Sequence, residues 1–300
     1  MKIFKGLVWL AVAAIATAAG SAWSQGTAFT YQGQLLSGAG LANGSYTITP
    51  TKSGYTFSPT SQQVTVNGAN VSGVNFTATQ NVSSGLAIDV KLSKDSTTAA
   101  TTIASSAFST TAGNELLLAF ISADYLSGTN TTVSSIASTG LTWTLVVRTN
   151  TQSGTAEIWR AFASSKLTNV TVTATLSQKV QASMTVVSFT GVDTTGTNGA
   201  GAIGNTASAN AKPGAPSGTL VTTRNNSWVL GVGTDFDNAI ARTPGTNQTV
   251  VHQDLTSVGD TYWVQMQNSP TPLSGTSVTI NDTAPATDRY NLSIVEVRTP

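Results

Sequence analysis

Apolar and polar residues alternate over most of the chain in short runs, which Gly, Asn and Asp separate. No stretch beyond residue 24 keeps the i, i+3, i+4, i+7 spacing of an amphipathic helix, so the pattern favours strands. Thr and Val dominate the runs because a branched Cβ packs well on a pleated surface. The sequence therefore predicts an all-β protein. The predicted strands are 46–50, 63–66, 74–78, 115–122, 141–148, 156–163, 170–176, 182–189, 219–223, 227–233, 249–254, 261–267, 277–281 and 291–298.

The strand pattern recurs within residues 115–298, which indicates an internal duplication. The segments 114–124, 155–162, 169–173 and 185–189 match 226–235, 259–266, 275–280 and 293–297, and Trp159 aligns with Trp263. Each half has only four or five predicted strands, so we expect the two halves to build one jelly-roll-like antiparallel sandwich of eight or more strands. The alternative is chance similarity among strands rich in Thr and Val.

Residues 1–24 have the pattern of a secretory signal peptide. Lys2 and Lys5 precede an apolar run at 7–19, and the small residues Ala22 and Ser24 mark a cleavage site before Gln25. The alternative is a membrane anchor, but the apolar run is shorter than the roughly 20 residues that span a bilayer. We therefore expect a secreted or cell-surface bacterial protein with no membrane span after cleavage.

Residues 25–80 form a first expected domain. The segment Gly-Leu-Ala-Asn-Gly-Ser-Tyr-Thr-Ile-Thr-Pro-Thr-Lys-Ser-Gly-Tyr-Thr-Phe-Ser-Pro at 40–59, followed by the Val- and Asn-rich segment 64–76, resembles carboxypeptidase-regulatory-like (transthyretin-like) repeats of bacterial surface proteins. The resemblance implies a small Ig-like or transthyretin-like β-sandwich. Its two leading strands are not recognisable in 26–36. Either these residues pair within the chain, or strands of the second domain or of a neighbouring molecule complete the sheet, which would cause self-association.

Residues 81–96 are interpreted as a polar linker with a first strand, and residues 97–300 as the large jelly-roll-like domain. The motifs Thr-Ala-Gly-Asn-Glu-Leu-Leu-Leu-Ala-Phe at 111–120, Gly-Leu-Thr-Trp-Thr-Leu-Val at 140–146, Ala-Glu-Ile-Trp-Arg-Ala-Phe at 156–162 and Val-Val-Ser-Phe-Thr-Gly-Val-Asp at 186–193 carry a second resemblance. They are similar to an uncharacterised β-sandwich module found beside Ig-like domains in bacterial cell-surface proteins. That resemblance implies no catalytic residues.

The composition limits the kinds of metal, nucleic-acid and catalytic site that the chain can form. Charged residues make up 9% of the chain, 85 of 300 residues are Thr or Ser, Cys is absent and His occurs once. A disulfide scaffold and a Cys-ligated or multi-His metal site are therefore excluded. The near-zero net charge, without Lys or Arg clusters, argues against nucleic-acid binding. A hydrolase triad would need His252, which lies in a strand-like run, and the few Glu residues suggest no catalytic pair. We therefore expect no enzyme.

Two tryptophans are the best candidates for ligand binding. By strand parity Trp159 shares a face with Glu157, and Trp263 shares a face with Thr261 and Gln265. Both faces are the more polar ones, so the indoles could stack on sugar rings while Glu157 and Gln265 form hydrogen bonds. The alternative is that both indoles pack under a loop or against the small domain.

Three carboxylates are candidates for a calcium site. Asp235 and Asp237 follow the predicted strand 227–233, and Asp124 follows the matching strand 115–122 of the first half. Hard cations take such clustered oxygen ligands, although the spacing of an EF-hand is missing. The alternative is a pair of solvated or turn-capping Asp residues, and no other cofactor is expected.

These observations favour an exported, non-catalytic structural or adhesive cell-surface protein. Its expected partners are other surface proteins or polysaccharide. The alternative is a carbohydrate-binding module that uses Trp159 and Trp263, and a hydrolase is the third possibility.

Overall fold

The fold is described from a computed structural model, which describes residues 28–35, 42–52, 55–69, 71–80 and 85–300. The predicted signal peptide lies outside these residues. All regular structure in the described residues consists of β-strands, so the all-β prediction is confirmed. No helix in the described part of the chain is long and apolar enough to cross a membrane. The chain divides into two compact units, residues 1–82 and 83–300.

The described residues of the first unit form five strands in two sheets. The strands are β1 (Ala28–Leu35), β2 (Gly44–Ile48), β3 (Tyr55–Ser58), β4 (Gln62–Val66) and β5 (Val71–Gln80), in the orders β1-β5-β3 and β2-β4. Val64, Val74 and Phe76 form its small core. The strand β1 pairs with β5 from Ala28 to Leu35, so part of the uncertain segment 26–36 pairs within the chain. One leading strand is present in the described residues, where the resemblance implied two.

In the second unit, residues 85–300 form sixteen strands, which fall into two sets of eight. The first set is β6 (Ala87–Asp95), β7 (Ala100–Ala104), β8 (Glu115–Ala123), β9 (Val133–Ala137), β10 (Thr144–Thr149), β11 (Thr155–Ala163), β12 (Thr173–Val180) and β13 (Ala182–Thr190). The second set is β14 (Ile203–Ala211), β15 (Ser217–Val221), β16 (Trp228–Asp235), β17 (Thr243–Pro244), β18 (Gln248–Leu255), β19 (Thr261–Gln267), β20 (Ser277–Ala284) and β21 (Tyr290–Val297).

The two sets repeat one strand order. The first repeat has sheets β10-β11-β8-β13-β6 and β7-β12-β9, and the second has β18-β19-β16-β21-β14 and β15-β20-β17. Asn114 and Asn226, which precede β8 and β16, both have φ 56°, a left-handed conformation that Asn tolerates. The structure thereby refines the sandwich prediction. Each half forms its own eight-stranded jelly-roll-like sandwich, whereas we expected both halves to build one.

The two repeats pack through their five-stranded sheets. Residues Leu116, Leu118 and Phe120 of β8 lie in an apolar core shared with the second repeat, and the alternate residues Leu117 and Ala119 lie in the core of the first repeat. The strand β8 contacts β16, β11 contacts β21, and β10 contacts β14. The strand β8 thus contacts its equivalent β16, and the contact of β11 with β21 is matched by a contact of the equivalent strands β19 and β13, as at an isologous dimer interface. The central strands are consequently buried on both faces.

Candidate functional site

The two candidate tryptophans lie inside their own repeats. Trp263 is 1% exposed in the core of the second repeat, and the Arg242 guanidinium lies 4.3 Å from its ring centre. Trp159 is half-buried against the core of the first repeat. The expected pair of exposed indoles is therefore wrong for Trp263. The polar neighbours Thr261 and Gln265 share its face, but that face points into a sandwich and is closed to solvent.

The strand register also corrects the alignment of the two tryptophans. Leu118 and Leu230 have equivalent places in the shared core, and they lie opposite Arg160 and Met266 on the neighbouring strands. Arg160 therefore corresponds to Met266. On the opposite face of the same strands, Trp159 corresponds to Gln265, and two positions earlier Glu157 corresponds to Trp263. The predicted equivalence of Trp159 and Trp263 is thus two residues out of register.

The predicted hydrogen-bonding neighbours hold strands together. The buried Glu157 forms an ion pair with Arg148 Nε at 2.8 Å and accepts hydrogen bonds from the Val133 N–H at 2.8 Å and from Trp159 Nε1 at 2.9 Å. Gln265 is buried in the second repeat and its Nε2 donates to the Asn281 carbonyl oxygen at 2.8 Å. Both side chains thus link the two sheets of their sandwich.

The three candidate calcium ligands have three different partners. Asp235 is buried and forms an ion pair with Arg242, whereas Asp237 Oδ1 lies 2.6 Å from Arg289 Nε. Burial raises the pKa of Asp235 to about 6, against the opposing effect of Arg242. Asp124 lies against the carboxyl group of Asp260. In the described residues no three His, Asp or Glu side chains are grouped so that they could hold a metal ion.

His252 lies in a strand, β18, as predicted, and it links the two repeats. Its Nε2 lies 2.9 Å from Asp95 Oδ1 on β6. Burial raises the pKa of Asp95, but hydrogen bonds from His252 and Ser183 outweigh burial and lower the pKa below its usual value. The pair therefore joins the edges of the two stacked sheets.

A surface that the sequence did not predict lies where β8 and β16 end side by side. The rings of Tyr125 and Phe236 meet edge to face, with centroids 6.1 Å apart, and Arg289 Cζ lies 5.3 Å from the Phe236 ring centre. Leu126 is 66% exposed and Ile240 is 48% exposed. We call this surface, made of residues 124–126, 236–240, 256–260 and Arg289, the seam end, because both repeats contribute to it.

The loops of the seam end are fixed by hydrogen bonds from neighbouring strands. The Gln178 side chain accepts from the Leu126 N–H at 2.9 Å and donates to the carbonyl oxygens of Ser127 and Thr129, both at 2.7 Å. Thr261 Oγ1 accepts from the Ile240 N–H at 3.0 Å. A surface held in this way loses little conformational entropy when it binds a partner.

A pair of carboxyl groups lies beneath the seam end. Asp260 is 2% exposed, lies against Asp124 of the other repeat and accepts a hydrogen bond from the Tyr262 hydroxyl at 2.9 Å. Burial, together with the charge of Asp124, raises the pKa of Asp260 to about 8. The pair therefore retains a proton at neutral pH, because two adjacent carboxylates repel each other.

The sequence contained one sign of the seam end. An Asp followed by an aromatic residue ends both repeated strands, as Asp124-Tyr125 and Asp235-Phe236. The contact between the two aromatic rings could be found only once the packing of the repeats was known.

The chain was compared with protein-family models, with curated proteins and with solved structures, and none of the three comparisons gave a match.

Proposed function

We propose that this chain is an exported, non-catalytic adhesive protein of the bacterial surface, which contacts another macromolecule through its seam end. The observation that carries this proposal is the exposed apolar surface at the seam end. Three of the seven exposed large apolar side chains in the described residues lie in the seam end, Leu126, Ile240 and Val258, and a fourth, Leu255, directly precedes residues 256–260. Apolar side chains grouped on a surface are typical of interaction sites.

Export and surface location rest on the signal-peptide pattern at residues 1–24 and on the two resemblances to bacterial surface modules. The hydroxyl-rich exterior keeps such a protein hydrated with few charges. The partner class that the seam end favours is a protein, because its exposed side chains include the aliphatic residues Leu126 and Ile240. A polysaccharide partner would instead need an exposed ring face, which the edge-to-face contact of Tyr125 with Phe236 partly covers.

The experiment probes arrays of purified extracellular proteins and of glycans with labelled residues 25–300. Every hit is measured again with Leu126→Ser combined with Ile240→Ser. The matched control is Leu273→Ser, because Leu273 is also 66% exposed but lies in the loop after β19, away from the seam end. We expect at least a tenfold loss of affinity for a protein hit with the seam-end variant and no change with the control.

Equal binding by both variants would contradict the seam end as the adhesive surface. A glycan hit that Trp159→Ala abolishes would favour the carbohydrate-binding alternative. Chemical conversion of a bound partner would contradict the non-catalytic assignment.

A further inference from the structure

The two stacked five-stranded sheets have two sides that differ sharply in charge. On one side lie the edge strands β6 and β18, and on the other lie β10 and β14. By the two-fold-like symmetry of the repeats, β6 is equivalent to β14 and β18 to β10. Any difference between the two sides therefore arises from the sequence of each strand.

The side formed by β6 and β18 is protected by charges. It carries the titratable side chains Asp89, Lys91, Lys94, Asp95, His252 and Asp254. Charged side chains on an edge strand oppose pairing with another chain, because like charges of two copies would face each other. The contact between His252 Nε2 and Asp95 Oδ1 also joins the two edges.

The side formed by β10 and β14 lacks this protection. The nine residues of β14, Ile-Gly-Asn-Thr-Ala-Ser-Ala-Asn-Ala, include no charged side chain. Arg148 is the one charged residue of β10, and its guanidinium is directed to the buried Glu157. Leu145 of β10 is 36% exposed. No strand in the described residues pairs with the second edge of β14, so its outward N–H and C=O groups remain available.

We propose that β14 is a docking edge for β14 of a second copy of this chain, paired antiparallel about a two-fold axis. A second copy fits because the strand is free of charge and its outer residues Thr206, Ser208 and Asn210 are small and polar, so two copies meet without repulsion or steric conflict. The inner residues Ala207 and Ala209 already pack on the core of the second repeat. The five-stranded sheet then continues into the sheet of the partner copy.

The size of the contact sets the expected affinity. The regular part of β14, residues 206–211, is about 20 Å long at roughly 3.3 Å per residue. Two layers of sheet add a depth of roughly 20 Å, so each copy buries on the order of 400 Å². This area is about half of the roughly 800 Å² per partner in a standard stable interface. We therefore expect a weak dimer that forms at high micromolar concentration.

The first test is sedimentation of residues 25–300 from about 5 to 500 μM. The wild type should shift from monomer to dimer over this range, and Thr206→Lys combined with Ser208→Lys should stay monomeric. The matched control, Thr102→Lys on the exposed face of β7, should dimerise like the wild type. A monomeric wild type throughout the range would overturn the proposal. A dimer that persists in the β14 variant would also overturn it and would favour association through the first unit.

The second test does not depend on the lysine variants. The chain has no Cys, so a single Cys at Thr206, Ser208 or Asn210 provides a specific cross-linking probe. Under mild oxidation we expect at least one of the three to form a disulfide-linked dimer several times faster than Thr102→Cys. Equal rates at β14 and at the control would contradict the pairing. The proposal is independent of the adhesive role of the seam end, because neither test uses an external partner.

Discussion

The substitution Glu296→Gln tests how the second repeat buries a charge. The Glu296 carboxylate is fully buried and accepts hydrogen bonds from the Ser227 hydroxyl at 2.6 Å, the Thr223 N–H at 2.7 Å and the Asn205 N–H at 3.0 Å. Gly204 lies so close that any Cβ there would collide with the carboxylate. The hydrogen bonds outweigh burial and lower the pKa of Glu296 below its usual value.

The expected loss follows from the donors around the two carboxylate oxygens. A Gln amide offers one acceptor oxygen and one NH₂ group, so at least one of the N–H groups of Thr223 and Asn205 loses its acceptor. A hydrogen bond to a charged group contributes about 1.5–3 kcal/mol, and a buried unpaired donor costs a similar amount. We expect Glu296→Gln to lower the free energy of unfolding by about 3 kcal/mol.

Repeat 1 provides a matched control. Ser188 occupies the place of Glu296, and Glu115 occupies the place of Ser227, so the Glu–Ser pair is exchanged between strands. Burial raises the pKa of Glu115 above its usual value, whereas at Glu296 the hydrogen bonds outweigh burial. We therefore expect Glu115→Gln to cost clearly less stability than Glu296→Gln, because the surroundings of Glu115 stabilise a carboxylate less than those of Glu296 do.

The assay is urea unfolding of residues 25–300 followed by tryptophan fluorescence. All four tryptophans after residue 24 lie in the second unit, so the signal reports that unit alone. Because the pKa of Glu296 is lowered in the folded state, its stabilisation is present above the unfolded pKa near 4.5 and is lost as the pH falls through the folded pKa. The difference between wild type and Glu296→Gln should therefore shrink below pH 4. Equal losses for Glu296→Gln and Glu115→Gln would show that the hydrogen bonds to the buried Glu296 carboxylate are not the cause of the loss.

Two further predictions concern buried side chains. The pKa of Asp260 is raised from 3.8 to about 8, so the folded state keeps a proton that the unfolded chain releases, and the free energy of unfolding should fall as the pH rises from about 4 to about 8. Asp260→Asn should flatten this slope in urea titrations at several pH values, and an unchanged slope would contradict the shared proton. Trp263→Ala should cost about 3–5 kcal/mol because the indole is fully buried. Trp159→Ala should cost less in the same thermal or urea unfolding experiment, and the reverse order would contradict the burial assigned to the two indoles.

Strands could be predicted wherever burial selects β-branched and apolar residues. Each of the fourteen predicted segments overlaps a strand, and 261–267 coincides with β19. The strand β14 was missed because it is an edge strand with one exposed face, which accepts Asn, Thr and Ser. The strand order could not be read from the sequence, because nothing local distinguishes two eight-stranded sandwiches from one larger sandwich.

The site residues were misjudged for a related reason. Alternation of polar and apolar residues identifies a binding face only where one face of the strand is exposed to solvent. The middle strands of both five-stranded sheets are covered on both faces. Trp263 therefore points into a core, although Thr261 and Gln265 lie on its face. The seam end escaped prediction because Tyr125 and Phe236 are 111 positions apart in the sequence and meet only when the repeats pack.

The two repeats share one core, so they should unfold as a single body, and the seam end depends on their packing. Native-state hydrogen exchange of residues 25–300 measures whether they do. We expect the central amides of β8 and of β16 to exchange through the same opening, with equal free energy and equal dependence on denaturant. If the strands β14–β21 open at a clearly lower free energy while β6–β13 stay protected, the repeats unfold independently and the shared core does not couple them.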